Sequence, residues 1–379
     1  MTTGTLAYAT PEVLRWARES AGLTLLEAAA RIGVDWFRLE GAERGEDNLT
    51  LREAEEAAKI YERPLALLFA PEVPDEAPPE VQFRMMPGAP DLPWETDMHL
   101  FSRRIRERQE AALEMYEGLG EGPPWPEAFE VFRRPSLEEL PALARQMLGV
   151  EPEEHSDWQS DRYAPLRAWR SAVEAQGALV MQHNFGEDSD QRGFLSLAEP
   201  SVPVIVLSSP EDPRARAFTI LHEFGHLLLE AREESFSQRT TEQWSDNFAG
   251  EVLMPRDQLV EVVTRSAHRS HEDAARDVAR TFHVTPLAAA VRMVVADLVP
   301  KAIGDDLIVG IRARGGGGQK PTGGSYYRNQ IANFGGSYIG LVFHALDQRV
   351  VTYSGASALL DGVKIQNFDK LRKTLAEAR

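Results

Sequence analysis

The sequence predicts a mainly α-helical (α+β) chain in three parts: an N-terminal five-helix unit, a helical core around a small β-sheet, and a helical C-terminal region. Three observations predict this. Helical periodicity with capping signals runs through residues 11–69. Three short β-like stretches, Ala178–Gln182, Gly193–Leu197 and Val202–Leu207, stand close together and precede an almost wholly apolar helix. Helical patterns then continue to the C-terminus. The expected divisions are 1–70, a proline-rich linker at 71–96, a core with a helical lead-in at 97–300, and a Gly-rich hinge with a helical domain at 301–379.

In the first part, Val13, Leu14, Ala17 and Ala21 keep helical spacing up to Gly22. Thr24 with Glu27, and Thr50 with Glu53, have the spacing of capping boxes for helices at Leu25–Arg31 and Leu51–Tyr61. A third helix is expected at Asp35–Ala42 and a short fifth between Pro64 and Phe69. The linker carries Pro71, Pro74, Pro78, Pro79, Pro87, Pro90 and Pro93 and reads as semi-extended. A long helix follows at 97–118, with Arg103, Arg104, Arg106 and Arg108 read as a solvated charged face. Ser136 with Glu139 reads as a further helix start. Residues 150–158 read as an acidic loop and 161–176 as a helix. Residues 277–299 are expected to form one closing helix. The glycines at 315–318 and 323–324 read as a hinge, since no G-K-[ST] follows them. Tyr338–Leu346 reads as amphipathic.

The chain has 379 residues, a net charge of −18 and no cysteine. Disulfides and thiolate ligands are therefore excluded, and a metal must be held by histidine and carboxylate. The acidic balance argues against a large nucleic-acid interface. No run approaches the roughly 18 apolar residues of a membrane helix. The N-terminus has no secretory signal, so a cytoplasmic location without membrane contact is expected.

Chemistry concentrates at Phe218–Glu230, which contains His222-Glu223-x-x-His226 within apolar flanks. On a helix, residues i and i+4 share a face, so the two imidazoles can reach one cation. Glu223 stands beside them and can take a proton from water at the metal. Zinc is the first expectation and Mn2+ the second. The third ligand is open on spacing alone. Leu229 and Arg232 exclude the three-histidine pattern. Glu242 leads among the carboxylates, over Glu233, Glu234 and Glu251, because Asp246 one turn later can hydrogen-bond a ligand histidine. His268 and His271 lie in a polar stretch that reads as a solvated turn.

Two resemblances follow from these residues. Arg15–Ala29, Ile32-Gly33-Val34 and Leu39–Gly45 resemble the helix-turn-helix domain of Xre/Cro-type repressors. That resemblance implies that the third helix reads DNA, with Trp36, Arg38 and Arg44 as contacts to DNA or a partner. Asp35, Glu40 and Glu43 oppose this, and residues 11–69 hold eight basic against twelve acidic side chains. Homodimerisation, or docking of a related protein, is the alternative use. Arg216–Leu229 and Glu242–Pro255 resemble the ImmA/IrrE family of zincin-like metallopeptidases, and the layout is similar to Xre–ImmA/IrrE fusion proteins. This second resemblance implies His222, His226 and Glu242 as ligands and Glu223 as catalytic acid/base, in a zinc-dependent, gluzincin-like endopeptidase. It further implies a repressor-like protein substrate in stress, phage-defence or mobile-element control. The rival reading is a DNA-binding or sensor regulator, or a toxin–antitoxin component, with a non-catalytic metal site.

Overall fold

The computed structural model describes residues 5–75, 96–186, 191–234, 236–265, 270–314 and 325–378. Most of the linker prolines, His268 and the two glycine runs lie outside them. The chain forms two compact units. The first takes the N-terminal helices and the next long helix up to Glu107; the second runs from Arg108 to the C-terminus.

The first unit contains α1 (Pro11–Ser20), α2 (Leu25–Ile32), α3 (Trp36–Arg44) and α4 (Leu51–Ile60). The fifth helix is a 3-10 turn, Leu65–Phe69, entered through Pro64. Both capping boxes form: the Thr24 and Thr50 hydroxyls each accept an N–H three residues on, and Glu27 and Glu53 bond back. A two-residue strand, β1 (Leu6–Ala7), pairs antiparallel with β2 (Leu49–Thr50). Leu14, Leu39, Leu49, Tyr61 and Leu68 fill the core, and Leu100 of the long helix α5 (Thr96–Leu119) joins them. The linker-to-core boundary expected at 96/97 therefore falls inside the first unit.

The α5 arginines correct the solvated-face reading. Arg103 is buried and donates to the carbonyls of Tyr61 at 2.6 Å and Glu62 at 3.0 Å. Arg104 grips the Glu62 carboxylate with two bonds of 2.8 and 2.7 Å. In the second unit, Arg108 is buried, pairs with Asp361 at 2.8 Å and lies over the Phe334 ring. The guanidinium groups cover backbone carbonyls and an aromatic face, which a count of charges along one helix cannot reveal.

The second unit begins with the remainder of α5, then α6 (Trp125–Phe129), α7 (Leu140–Leu148) and α8 (Ala164–Ala175). The Ser136–Glu139 pair bonds as read, at 2.8 Å to the Ser136 N–H, but α7 itself starts only after Glu139. The acidic loop contains two short 3-10 turns, Pro152–Glu154 and Ser156–Ser160. The sheet follows: β3 (Leu179–His183), β4 (Gly193–Ser196) and β5 (Val204–Ser208), in the order β3-β5-β4. Central β5 runs parallel to β3 and antiparallel to β4, and its five residues are all buried. That explains an unbroken Val-Ile-Val-Leu run instead of an alternating one.

Against the sheet lies α9 (Pro213–Ala231), followed by α10 (Gln238–Leu253), α11 (Arg256–Arg265), α12 (His271–Thr281), α13 (Pro286–Val295) and α14 (Lys301–Arg314). The single closing helix is thus corrected to α12 and α13. His283 adopts φ +53°, and Thr285 caps the new helix with Pro286 in its first turn. His271 is corrected too: it opens α12 behind a Ser270 cap. Leu307, Ile308 and Ile311 of α14 pack on the same core, so the division expected at 300/301 is not a packing boundary. The tail consists of α15 (Tyr326–Phe334), α16 (Gly336–Asp347), α17 (Tyr353–Leu359) and α18 (Phe368–Ala378). Buried residues occupy most of α16, among them Tyr338, Ile339, Val342 and Phe343, while His344 and Asp347 are exposed, so the helix is amphipathic with a wide apolar face and a narrow solvent edge. Among the described residues, no helix is long and apolar enough to cross a membrane.

Candidate metal centre

Helix α9 is started by Asp212, whose carboxylate accepts the Arg214 N–H at 2.9 Å, with Pro213 in the first turn. Its rotation is set by Phe224. That ring meets Trp125 and Phe132 edge-on, with centroids 6.0 and 5.9 Å away. Phe224 lies roughly 200° around the helix from His222, at about 100° per residue. Fixing it inward on one side directs His222 and His226 to the other. On that side α10 crosses. Gly225 makes room: a β-carbon there would stand 3.1 Å from the Phe248 ring. Helix α10 starts at Ser237, whose hydroxyl accepts the Thr240 N–H, and it presents Glu242 and Asp246 on one face.

The structure brings His222, His226 and Glu242 together. Their nearest donor atoms lie within 4.8 Å of one another. The two Nε2 atoms are 3.0 Å apart; Glu242 Oε2 is 3.3 Å from His222 Nε2, and Glu242 Oε1 is 3.6 Å from His226 Nε2. A tetrahedron with metal–ligand bonds of about 2.0–2.1 Å has edges of about 3.3–3.4 Å. The three separations bracket that value, so the donor set fits a zinc-sized ion. Buried Glu242 Oε1 has no hydrogen-bond partner, and neither does buried Glu223 Oε2. Unsatisfied buried oxygens of this kind call for a ligand.

Asp246 Oδ1 lies 2.9 Å from His222 Nδ1 and orients that ring. His226 is 1 % exposed, its position fixed by packing. Burial pulls His222 down, but its bonds to Asp246 and Glu242 outweigh this and raise it to about 10. The same two histidines hold Glu242 far below the usual carboxylate range. Glu223 goes the other way: burial pushes its carboxyl up, against the opposing pull of His222 and His226.

The rival carboxylates are engaged or turned elsewhere. Glu251 pairs with Arg292 and accepts the Arg256 N–H; Glu234 pairs with Arg232; Glu233 is exposed at a left-handed backbone position after α9. His271 is exposed at the start of α12. Trp36, Arg38 and Arg44 belong to the other unit. There Trp36 stacks on Phe37, Arg38 pairs with Glu53 at 2.8 Å, and Arg44 pairs with Glu40 at 2.6 Å.

Two residues that shape the centre were not singled out from the sequence. One is Gly225. The other is Gly193 on β4, where a β-carbon would lie 2.6 Å from Thr219 Cγ2, 2.7 Å from the Val206 carbonyl oxygen and 3.6 Å from Glu223 Oε1. Bare backbone is thus what fits between strand and helix beside Glu223. A glycine opening an otherwise apolar β-like stretch was the available signal.

Residues 173–294, from the end of α8 through most of α13, match the family model for Peptidase_M78, described as the IrrE N-terminal-like domain. All of His222, Glu223, His226, Glu242 and Asp246 fall inside the match. The N-terminal unit and the helices from α14 onward fall outside it. No curated protein matches the chain.

Proposed function

We propose that the chain is a metal-dependent endopeptidase of narrow specificity that cuts a regulatory, repressor-like protein and so controls stress, phage-defence or mobile-element genes. The observation that carries the reading is the convergence of His222, His226 and Glu242 on one ion-sized point, with Glu223 next to His222 in the same turn of α9. A divalent cation held there, zinc first and manganese second, supplies Lewis acidity toward a peptide carbonyl and toward water. Glu223 takes the proton of the attacking water on its free oxygen and returns it to the departing amine. Its buried, proton-attracting surroundings suit a group that must hold the proton between those two events. Asp246 keeps the His222 ring aligned with Nε2 toward the ion.

The test uses the full chain loaded with zinc, and its Glu223→Gln variant loaded equally. Each is incubated with a panel of helix-turn-helix repressor-like proteins as candidate substrates, and products are followed by intact mass. The expected result is one cleavage by the wild type and a rate lower by about a hundredfold or more in the variant. Equal cleavage by both, or a panel left wholly intact by the loaded wild type, would overturn the reading.

A further inference from the structure

Helix α3 opens with an aromatic pair that its own unit does not bury. Trp36 and Phe37 stack with centroids 3.5 Å apart and are 37 % and 64 % exposed, while Leu39 and Ala42 face the core. Two adjacent exposed aromatics on a rigid helix are the kind of anchor that interfaces use. Carboxylates stand at the start of the helix and on the loop after it. Exposed Asp35 caps the helix and accepts the Phe37 N–H at 2.9 Å. Exposed Asp47 returns to within 3.7 Å of Arg38 Nε.

The cations on and behind α3 are committed within the unit. Arg38 bonds Glu53 and the Asn48 carbonyl; Arg44 bonds Glu40; Arg18 bonds Glu43 at 2.7 and 2.9 Å. An excess of four acidic side chains remains over residues 11–69. This charge pattern repels nucleic acid and attracts what binds nucleic acid.

We propose that the Trp36–Phe37 face docks a basic protein segment, seating arginine or lysine side chains on the ring faces and pairing them with Asp35 and Asp47. Aromatic faces and flanking carboxylates then serve one chemistry, recognition of a desolvated cation. The partner is a protein surface rich in basic residues, of the sort a nucleic-acid-binding protein presents. This surface does not depend on the metal centre, so failure of the cleavage test would leave it standing.

Fluorescence anisotropy with the full chain tests it. The probes are a labelled 16-residue peptide of Arg, Leu and Ala with six arginines, a glutamate peptide of equal length, and a labelled 20-base-pair duplex, each at 50 and 150 mM salt. The wild type is expected to bind the arginine peptide alone. Trp36→Ala/Phe37→Ala should weaken that binding about tenfold or more, the loss of contacts worth about 1.4 kcal/mol or more together. Tyr353→Ala, which removes an exposed aromatic of the other unit, should leave it unchanged. The double variant keeps every charge, so general attraction to an acidic chain would survive it. Both replaced side chains are exposed, and circular dichroism checks that the variant folds. Unchanged affinity in the double variant overturns the proposal, as does absence of binding at 1 mM peptide. Duplex binding that the double variant loses would assign the face to nucleic acid. A wild-type dimer that the double variant splits in sedimentation would assign it to a second copy.

Discussion

His222 is held from two sides, and the consequence is a proton. With Asp246 on Nδ1 and Glu242 near Nε2, its pKa rises to about 10, against 6.5 for a free imidazole. A cation can bind only the neutral ring, so loading must expel that proton. Titrating zinc into the metal-free chain at pH 8, in buffers of different ionisation enthalpy, should release about one proton from His222 per chain. An unshifted imidazole would release one proton fewer, whatever the bound water contributes, and that result would contradict the assignment. The sign for stability follows. Because the folded value is raised, His222 stabilises the metal-free fold fully below about 6.5, and that contribution is lost as pH rises through about 10. His222, Glu223 and His226 were legible because their chemistry needs a helical i, i+4 spacing that a string of letters preserves. Glu242 was favoured by spacing but separated from its rivals only by packing, which engages Glu251 with Arg292 and Glu234 with Arg232.

At the scale of elements, the centre is an agreement between a strand and two helices. Gly193 lets β4 approach α9, and Gly225 lets α10 do so. Gly193→Ala would press a methyl into the Val206 carbonyl and Thr219, the first of which is backbone and cannot rotate away. A loss of about 1–3 kcal/mol is expected, read as a lower melting temperature. An unchanged melting curve would mean that strand and helix are less closely packed than described. Local signals carried far at this scale: both N-terminal capping boxes, the three strands and the start of α9 fall close to where their residues placed them. Tertiary contacts account for the misses. Arg103 and Arg108 of α5 are buried by partners distant in sequence, including Asp361, and the break at His283 rests on a left-handed residue that no periodicity marks. Strand order was also illegible, because β4 precedes β5 in sequence yet lies at the far edge from β3.

At the scale of the molecule, two units carry different chemistry. The acidic first unit ties down the arginines around α3, and the second unit gathers the candidate ligand set from α9 and α10. A cation that bridges two helices binds the folded chain and not the unfolded one. Its removal by chelation should therefore lower the melting temperature, by the equivalent of about 4 kcal/mol when free metal is a thousandfold above its dissociation constant. Chelation without any shift would mean that the site does not bridge those helices. The central claim is the identity of the ligands, and metal content tests it most directly. Protein purified, loaded with zinc and dialysed should hold one ion per chain in the wild type and in Glu233→Gln. His226→Ala and Glu242→Gln should hold far less than one. A full complement of zinc in Glu242→Gln would contradict the account.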